Sequence, residues 1–149
     1  MSLTLQVVGD TADRFEREAL ALPQVECPLV HHFGPGIYIR EVTIPAGTFV
    51  VGHRHKQETL NILQSGRLVL MTDDGTREMR GPYLFTSPPG RKVAYAATDV
   101  VFQNVFATEE RDIAKLEAMF VEKSEQWLAH DEAQRLADFI NSEACPCLS

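Results

Sequence analysis

Between Ile37 and Ala107 the chain divides into short apolar-rich runs separated by turn residues, and no helical stretch lies between them. Ile37 to Ile44 is rich in β-branched and aromatic residues and is stopped by Pro45-Ala46-Gly47. Thr48 to His55 and Thr59 to Leu63 follow, and Ser65-Gly66 turns tightly into Arg67 to Met71. Asp73-Asp74-Gly75 is a hairpin signal leading into Thr76 to Met79. Gly81-Pro82 sets off Tyr83 to Thr86, and Pro88-Pro89-Gly90 turns into Lys92 to Ala96 and then Val100 to Ala107. A parallel sheet would need a crossover helix between strands. About seven or eight short strands without one predict an all-β sandwich or barrel.

The flanks read as helices. Thr11 to Leu22 carries the stripe Phe15, Ala19, Leu22 and is closed by Pro23. Thr108 reads as an N-cap, followed by acidic residues and then by Ile113, Leu116, Met119 and Phe120 on one face. A second helical run covers Ser124 to Ile140, with Trp127, Leu128, Leu136 and Ile140 as its apolar members. The 149 residues thus read as one domain: a barrel core over 36–107, C-terminal helices over 108–140, and a tail over 141–149.

Fourteen basic against twenty-one acidic residues give a net charge of −7. An acidic surface with one adjacent basic pair, Arg91-Lys92, argues against nucleic acid as a partner; that pair reads as a solvated loop. No run approaches the roughly 18 apolar residues of a membrane span. MSLTLQVVGDTADR lacks the layout of a secretory signal, so a soluble, cytoplasmic protein is expected. Three cysteines, Cys27, Cys145 and Cys147, form no even framework, which suits a reducing compartment; Cys145-Pro-Cys147 reads as an incidental tail.

The chemistry concentrates in GTFVVGHRHKQETLNILQSG, Gly47 to Gly66. His53 and His55 lie two apart in a segment read as a strand, so both imidazoles are expected on the face lining the barrel. Two imidazoles can ligate a metal or move protons, but a catalytic metal site takes three protein donors. Glu58 would complete a two-His, one-carboxylate set if a bulge before Thr59 turned it inward; on a regular strand it faces the other way. Gln57, Asn61, His31 and His32 are the other conceivable donors, although His31-His32 reads as surface. Without a metal, the histidines are buried polar groups bonded to Asn61, Tyr95 or water. Asn61 and Thr59 share the inward register with the histidines, and Tyr95 is expected near them, making these three the candidate ligand contacts.

The segment from about 36 to 107 resembles the cupin family, small double-stranded β-helix (jelly-roll) barrels. Gly47, His53, His55 and Gly66 follow the first cupin motif in order, and Gly81 with Pro88-Pro89-Gly90 resembles the second with one extra residue in its first gap. The motif's Glu position falls on Thr59, its third His on Val93 and its Asn on Ala97. The resemblance implies an all-β double-stranded β-helix with one or two C-terminal α-helices, a site at His53, His55 and displaced Glu58, and a divalent transition metal (Zn, Fe, Ni or Mn) or none. It also implies a homodimer, for which the apolar faces of the tail helices are suited. In overall plan the chain is similar to small stand-alone cupins, some carried by bacteriophages.

Three functions compete at this stage. The first is a barrel binding a small ligand or a metal through His53 and His55 without assigned catalysis, or serving as an assembly module. A metal-dependent oxygenase or isomerase of a small molecule comes next. Metal-free acid–base catalysis with Tyr95 as acid ranks third, since no inward carboxylate is evident to orient a His base.

Overall fold

The computed structural model describes residues 9–72 and 75–144. The β-branched and aromatic run Ile37–Ile44 is realised as strand β2 over those same residues. Around it lie β1 (Leu29–Gly34), β3 (Phe49–Val51), β4 (Arg54–His55), β5 (Thr59–Ser65), β6 (Arg67–Thr72), β7 (Gly75–Arg80), β8 (Tyr83–Ser87), β9 (Val93–Ala96), β10 (Val100–Ala107) and β11 (Val121–Glu122). Three helices flank them: α1 (Gly9–Leu20), α2 (Ile113–Phe120) and α3 (Glu125–Ala144).

One sheet runs β1-β2-β10-β5-β8 and the other β3-β9-β6-β7, with every neighbour antiparallel. Short β4 pairs with β11 apart from both. Leaving β4 aside, the chain passes from one sheet to the other at almost every turn from β2 to β10, staying in one sheet only for the β6–β7 hairpin. This is the double-stranded roll that strand spacing and resemblance led one to expect, all-β with helices at the chain's C-terminal side.

Inward residues at two-residue spacing, among them Ile44, Leu63, Leu68, Leu70, Phe85 and Phe102, form the main core between the sheets. A second cluster joins α2 to the barrel: Leu116 and Phe120 pack on Tyr38 and Phe106, whose ring lies 4.1 Å from that of Phe120. In a third, Ala12 and Phe15 of α1 cover Val93 on the outside of β9.

Four expectations are revised. The strands are expected to begin at Ile37, yet Leu29–Gly34 pairs along its whole length with β2. The strand expected over Thr48 to His55 breaks at Gly52-His53. α2 begins at Ile113 rather than after Thr108, because Asp112 is the cap and accepts from the Lys115 amide at 3.0 Å; Thr108 only accepts from the nearby Glu110 amide. On α3, Trp127 is half-buried while Leu128, Leu136, Phe139 and Ile140 are exposed, so only the start of this helix covers the barrel. Asp73-Asp74 and Cys145-Pro-Cys147 lie outside the described residues. No helix among the described residues is long and apolar enough to cross a membrane.

Two positions fix the roll most tightly. Gly66 turns β5 into β6 at φ +93, and a Cβ there would lie 2.2 Å from the Asp99 carbonyl. At the other end, Arg91 and Glu16, 6% and 3% exposed, form an ion pair between the loop before β9 and α1. Gly66→Ala is expected to destabilise by at least about 2 kcal/mol, from backbone strain plus the carbonyl clash. Glu16→Leu, which leaves Arg91 buried without its main partner, is expected to cost about 3 kcal/mol. Urea denaturation of both variants checks this; losses under about 0.5 kcal/mol, the range of a neutral surface change, would contradict the assignment.

Candidate functional site

A cavity of about 420 Å³ lies inside the barrel, and both His53 and His55 line it. Its body is apolar, walled by Val42 and Ile44 of β2, Leu68 and Leu70 of β6, Ala94 of β9 and Phe102 of β10. The polar groups are Arg40 and Asn104 from the larger sheet, the two histidines, Lys92, and Glu117, Lys123 and Trp127 from the α2–α3 region. A smaller cavity of about 20 Å³ adjoins it between His55, Arg40, Asn104 and Glu117. That is room for one water.

Local backbone contacts place the histidines. The Gly52 amide donates to the Lys92 carbonyl at 2.9 Å, which holds the chain beside β9 just before His53. His55 exchanges backbone hydrogen bonds with Gly90 at 2.8 and 2.9 Å and pairs with Val121 of β11. The Lys56 amide and ammonium donate to the Phe120 and Ala118 carbonyls, fastening the end of α2 beside β4.

Hydrogen-bond capacity settles the tautomer of His55. Thr59 Oγ1 donates its single proton to the Gln57 carbonyl at 3.0 Å. His55 Nδ1, 3.2 Å from Thr59 Oγ1, must therefore be the donor in that contact, which leaves Nε2 with its lone pair. Burial drives the ring's pKa down to about 3, with the positive charges of Lys92 and Arg40 adding to the shift. His53 is lowered to about 4, by burial first and then by Lys123, Arg40 and Arg91. Its ring stands edge-on to Trp127 at 4.9 Å and 89°, and its buried Nδ1 has no hydrogen-bond partner. Both rings are neutral at physiological pH.

Lys92 is the group that sequence reasoning misplaced most. Expected in a solvated loop with Arg91, it lines the cavity instead, and its buried ammonium has no hydrogen-bond partner. Burial lowers its pKa to about 8. Arg91 is buried too, donating to the Gly52 carbonyl at 2.9 Å and pairing with Asp13 at 3.2 Å besides Glu16. Glu16 also accepts from Ser124 Oγ and, at 2.8 Å, from Gln126. Burial alone would raise the Glu16 carboxyl, but hydrogen bonds from Arg91, Ser124 and Gln126 outweigh it and hold the group below its ordinary value.

The candidates named from sequence scatter. His53 and His55 are brought together with the cavity, as expected. Glu58 is exposed, and no bulge turns it inward, so it does not join the histidines. Among the described residues no three His, Cys, Asp or Glu side chains could hold one metal ion. The pair alone does not fit a three-donor catalytic centre. Thr59 and Asn61 are fully buried, but behind the cavity wall: Thr59 supports His55, while Asn61 donates to Ser87 Oγ at 2.9 Å and accepts from Asn104 at 2.8 Å. Tyr95 does share the face of Val93, but that face is the outer one under α1, and Tyr95 is 40% exposed. The inward residue of β9 is Ala94. His31 bonds Tyr38 Oη at 2.7 Å, His32 lies 3.4 Å from Glu41, and neither reaches the cavity.

No family model matches the chain, and no curated protein is similar to it in sequence. Among solved structures, cupin domains recur. The chain is similar to a cupin domain from Bordetella pertussis at 19% identity and TM-score 0.44, covering 58% of this chain and 98% of that one. A cupin 2 domain-containing protein from Halorhodospira halophila matches at 14% and 0.47, over 62% and 75%. A sugar phosphate isomerase from a cupin superfamily, from Silicibacter pomeroyi, matches at 20% and 0.40, over 49% and 51%. At these identities and scores the likeness says nothing of activity, which rests on the residues.

Neutral, buried histidines make stability depend on pH with a definite sign. Both folded-state pKa values lie below the ordinary 6.5, so the unfolded chain binds more protons as acid is added. The histidines' contribution is complete above about 6.5 and is lost as pH falls through about 4 for His53 and about 3 for His55. The melting temperature of the wild type is expected to fall over that window. In His53→Gln/His55→Gln the fall should be clearly shallower; equal slopes in both proteins would show that the imidazoles are not buried and neutral.

Proposed function

We propose that this protein is a small-molecule-binding barrel, holding an organic ligand in its interior cavity with His53 and His55 at the polar end. One observation carries the reading: a cavity of about 420 Å³, apolar along its body, meets a cluster of polar groups in which His53 Nδ1 and the Lys92 ammonium have no hydrogen-bond partner. A volume of this size lies in the range of ligand sites, which join an apolar body to a few polar groups. A buried polar atom without a partner costs roughly 1–3 kcal/mol, which a ligand atom or a bound water would recover.

A metal reading has one observation in its favour. Both imidazoles are neutral, and the lone pair on His55 Nε2 is what a zinc, iron, nickel or manganese ion would use. It ranks second because the exposed Glu58 leaves two donors. The lone pair can equally accept a proton, but Tyr95 is turned away and offers no matching acid.

Two measurements decide between the readings. Ala94→Trp fills the cavity from β9 without replacing a charged group. It should abolish binding of apolar fragments, as seen by ligand-observed NMR, while the folded spectrum persists. Undiminished fragment binding in that variant would refute the interior site. Elemental analysis after metal-replete expression should find well under one equivalent of transition metal, because two protein donors fall one short of the three a catalytic site uses. About one equivalent, lost in His53→Ala/His55→Ala, would put the metal reading first.

A further inference from the structure

The cavity carries more positive than negative charge inside an acidic protein. Arg40, Lys92 and Lys123 line it against one carboxylate, Glu117. Lys123 already answers Glu117, at 3.2 Å, and lies 4.9 Å over the Trp127 ring. The histidines add no charge, since both are neutral above about pH 4. Arg40 feels the Glu117 carboxylate, which it shares with Lys123, without pairing directly with it, and Lys92 has no anion at all. Among the described residues the Arg40 side chain makes no hydrogen bond and no ion pair within 4.0 Å, and burial lowers its pKa, but a guanidinium does not lose its proton in a protein. Lys92 has no partner for its ammonium. Buried charges are ordinarily paired, and two cations that make no direct contact with the one carboxylate, itself shared with Lys123, are a costly arrangement beside an apolar chamber.

The whole chain, by contrast, has a net charge of −7. The positive character is thus local to the cavity. Arg40 projects from β2 in the register of Val42 and Ile44, so its charge sits at the end of the same row that forms the apolar wall. Lys92 stands in the same relation to Ala94 of β9, from the opposite sheet. A polyhydroxylated ligand such as a sugar would find few partners along that wall.

We propose that the ligand of this cavity is an organic anion with an apolar body, whose carboxylate or phosphate head is held between Arg40 and Lys92. The inference rests on the reading of the cavity as a ligand site and adds the class of ligand. The planar guanidinium can take two oxygens of the head group side by side, while the ammonium supplies a point charge from the facing sheet. The hydrocarbon part lies along Val42, Ile44, Leu70 and Phe102.

Three probes of one chain length test it by calorimetry on the full chain: decanoate, decanol and decylammonium. The wild type should bind decanoate at least about tenfold more tightly than decanol, with decylammonium weakest, as expected where one charge-assisted hydrogen-bond pair is gained. Lys92→Met keeps the stem and removes the charge. It should weaken decanoate about tenfold and leave decanol within about twofold. Arg40→Met is the second variant, should Lys92→Met fail to fold as judged by circular dichroism, and the same outcome is expected. Decanol and decanoate binding equally well, or a Lys92→Met protein that loses both alike, would overturn the anion inference while leaving an interior ligand site standing. If none of the three probes binds, both the inference and the site it rests on fall.

Discussion

The buried pairing of Arg91 with Glu16 is the interaction from which the candidate site is arranged. Arg91 stands just before β9. By donating to the Gly52 carbonyl it holds the segment that delivers His53, and by reaching α1 it takes the outer side of the barrel. The next side chain, Lys92, is left on the cavity side. On the other end of the pair, Glu16 accepts from Ser124 and Gln126, which flank the start of α3 and so set Lys123 and Trp127 against the cavity. Two segments distant in sequence converge on one carboxylate of α1. An ion pair this buried contributes less to stability than its Coulomb energy suggests. Its role is registration: it decides which side chains face inward.

Burial is the second theme, and it acts on each titratable group according to its partners. Glu16, surrounded by donors, stays ionised below its ordinary pKa. The histidines meet cations and low dielectric and are kept neutral. Lys92 has burial without compensation and is pulled down towards physiological pH. A neutral imidazole with a defined tautomer, next to an ammonium that is easily deprotonated, is a setting in which ligand protonation and binding would be coupled.

How far this was legible in the sequence differs by level. β2 and β10 fall on the residues read as strands, because both are rich in β-branched and aromatic residues and their ends carry Pro, Gly or polar turn residues. β1 escaped because Val30-His31-His32 gives no alternation; the β2 edge supplies its partner. The cap of α2 was misplaced because Thr108 and Asp112 are both competent caps, and only packing of Leu116 and Phe120 against Tyr38 and Phe106 chooses between them. His53 and His55 could be found from spacing. Glu58 and Tyr95 could not be oriented, since a face is decided by which sheet a strand joins and which helix covers it. Arg40 did carry a signal, a charge at an inward position among Tyr38, Val42 and Ile44. Lys92 carried none, as its inward turn depends on Glu16, about 75 residues away, bonded to its neighbour.

The interior is positively charged, and the titration of Lys92 probes that charge and the burial of its ammonium most directly. Carbon NMR of the Lys92 Cε, assigned by comparison with Lys92→Met, follows the ammonium in the ligand-free protein. The account predicts a midpoint about 8, well below the ordinary 10.5. A midpoint at or above 10.5 would mean that the ammonium is solvated or paired, and would contradict it.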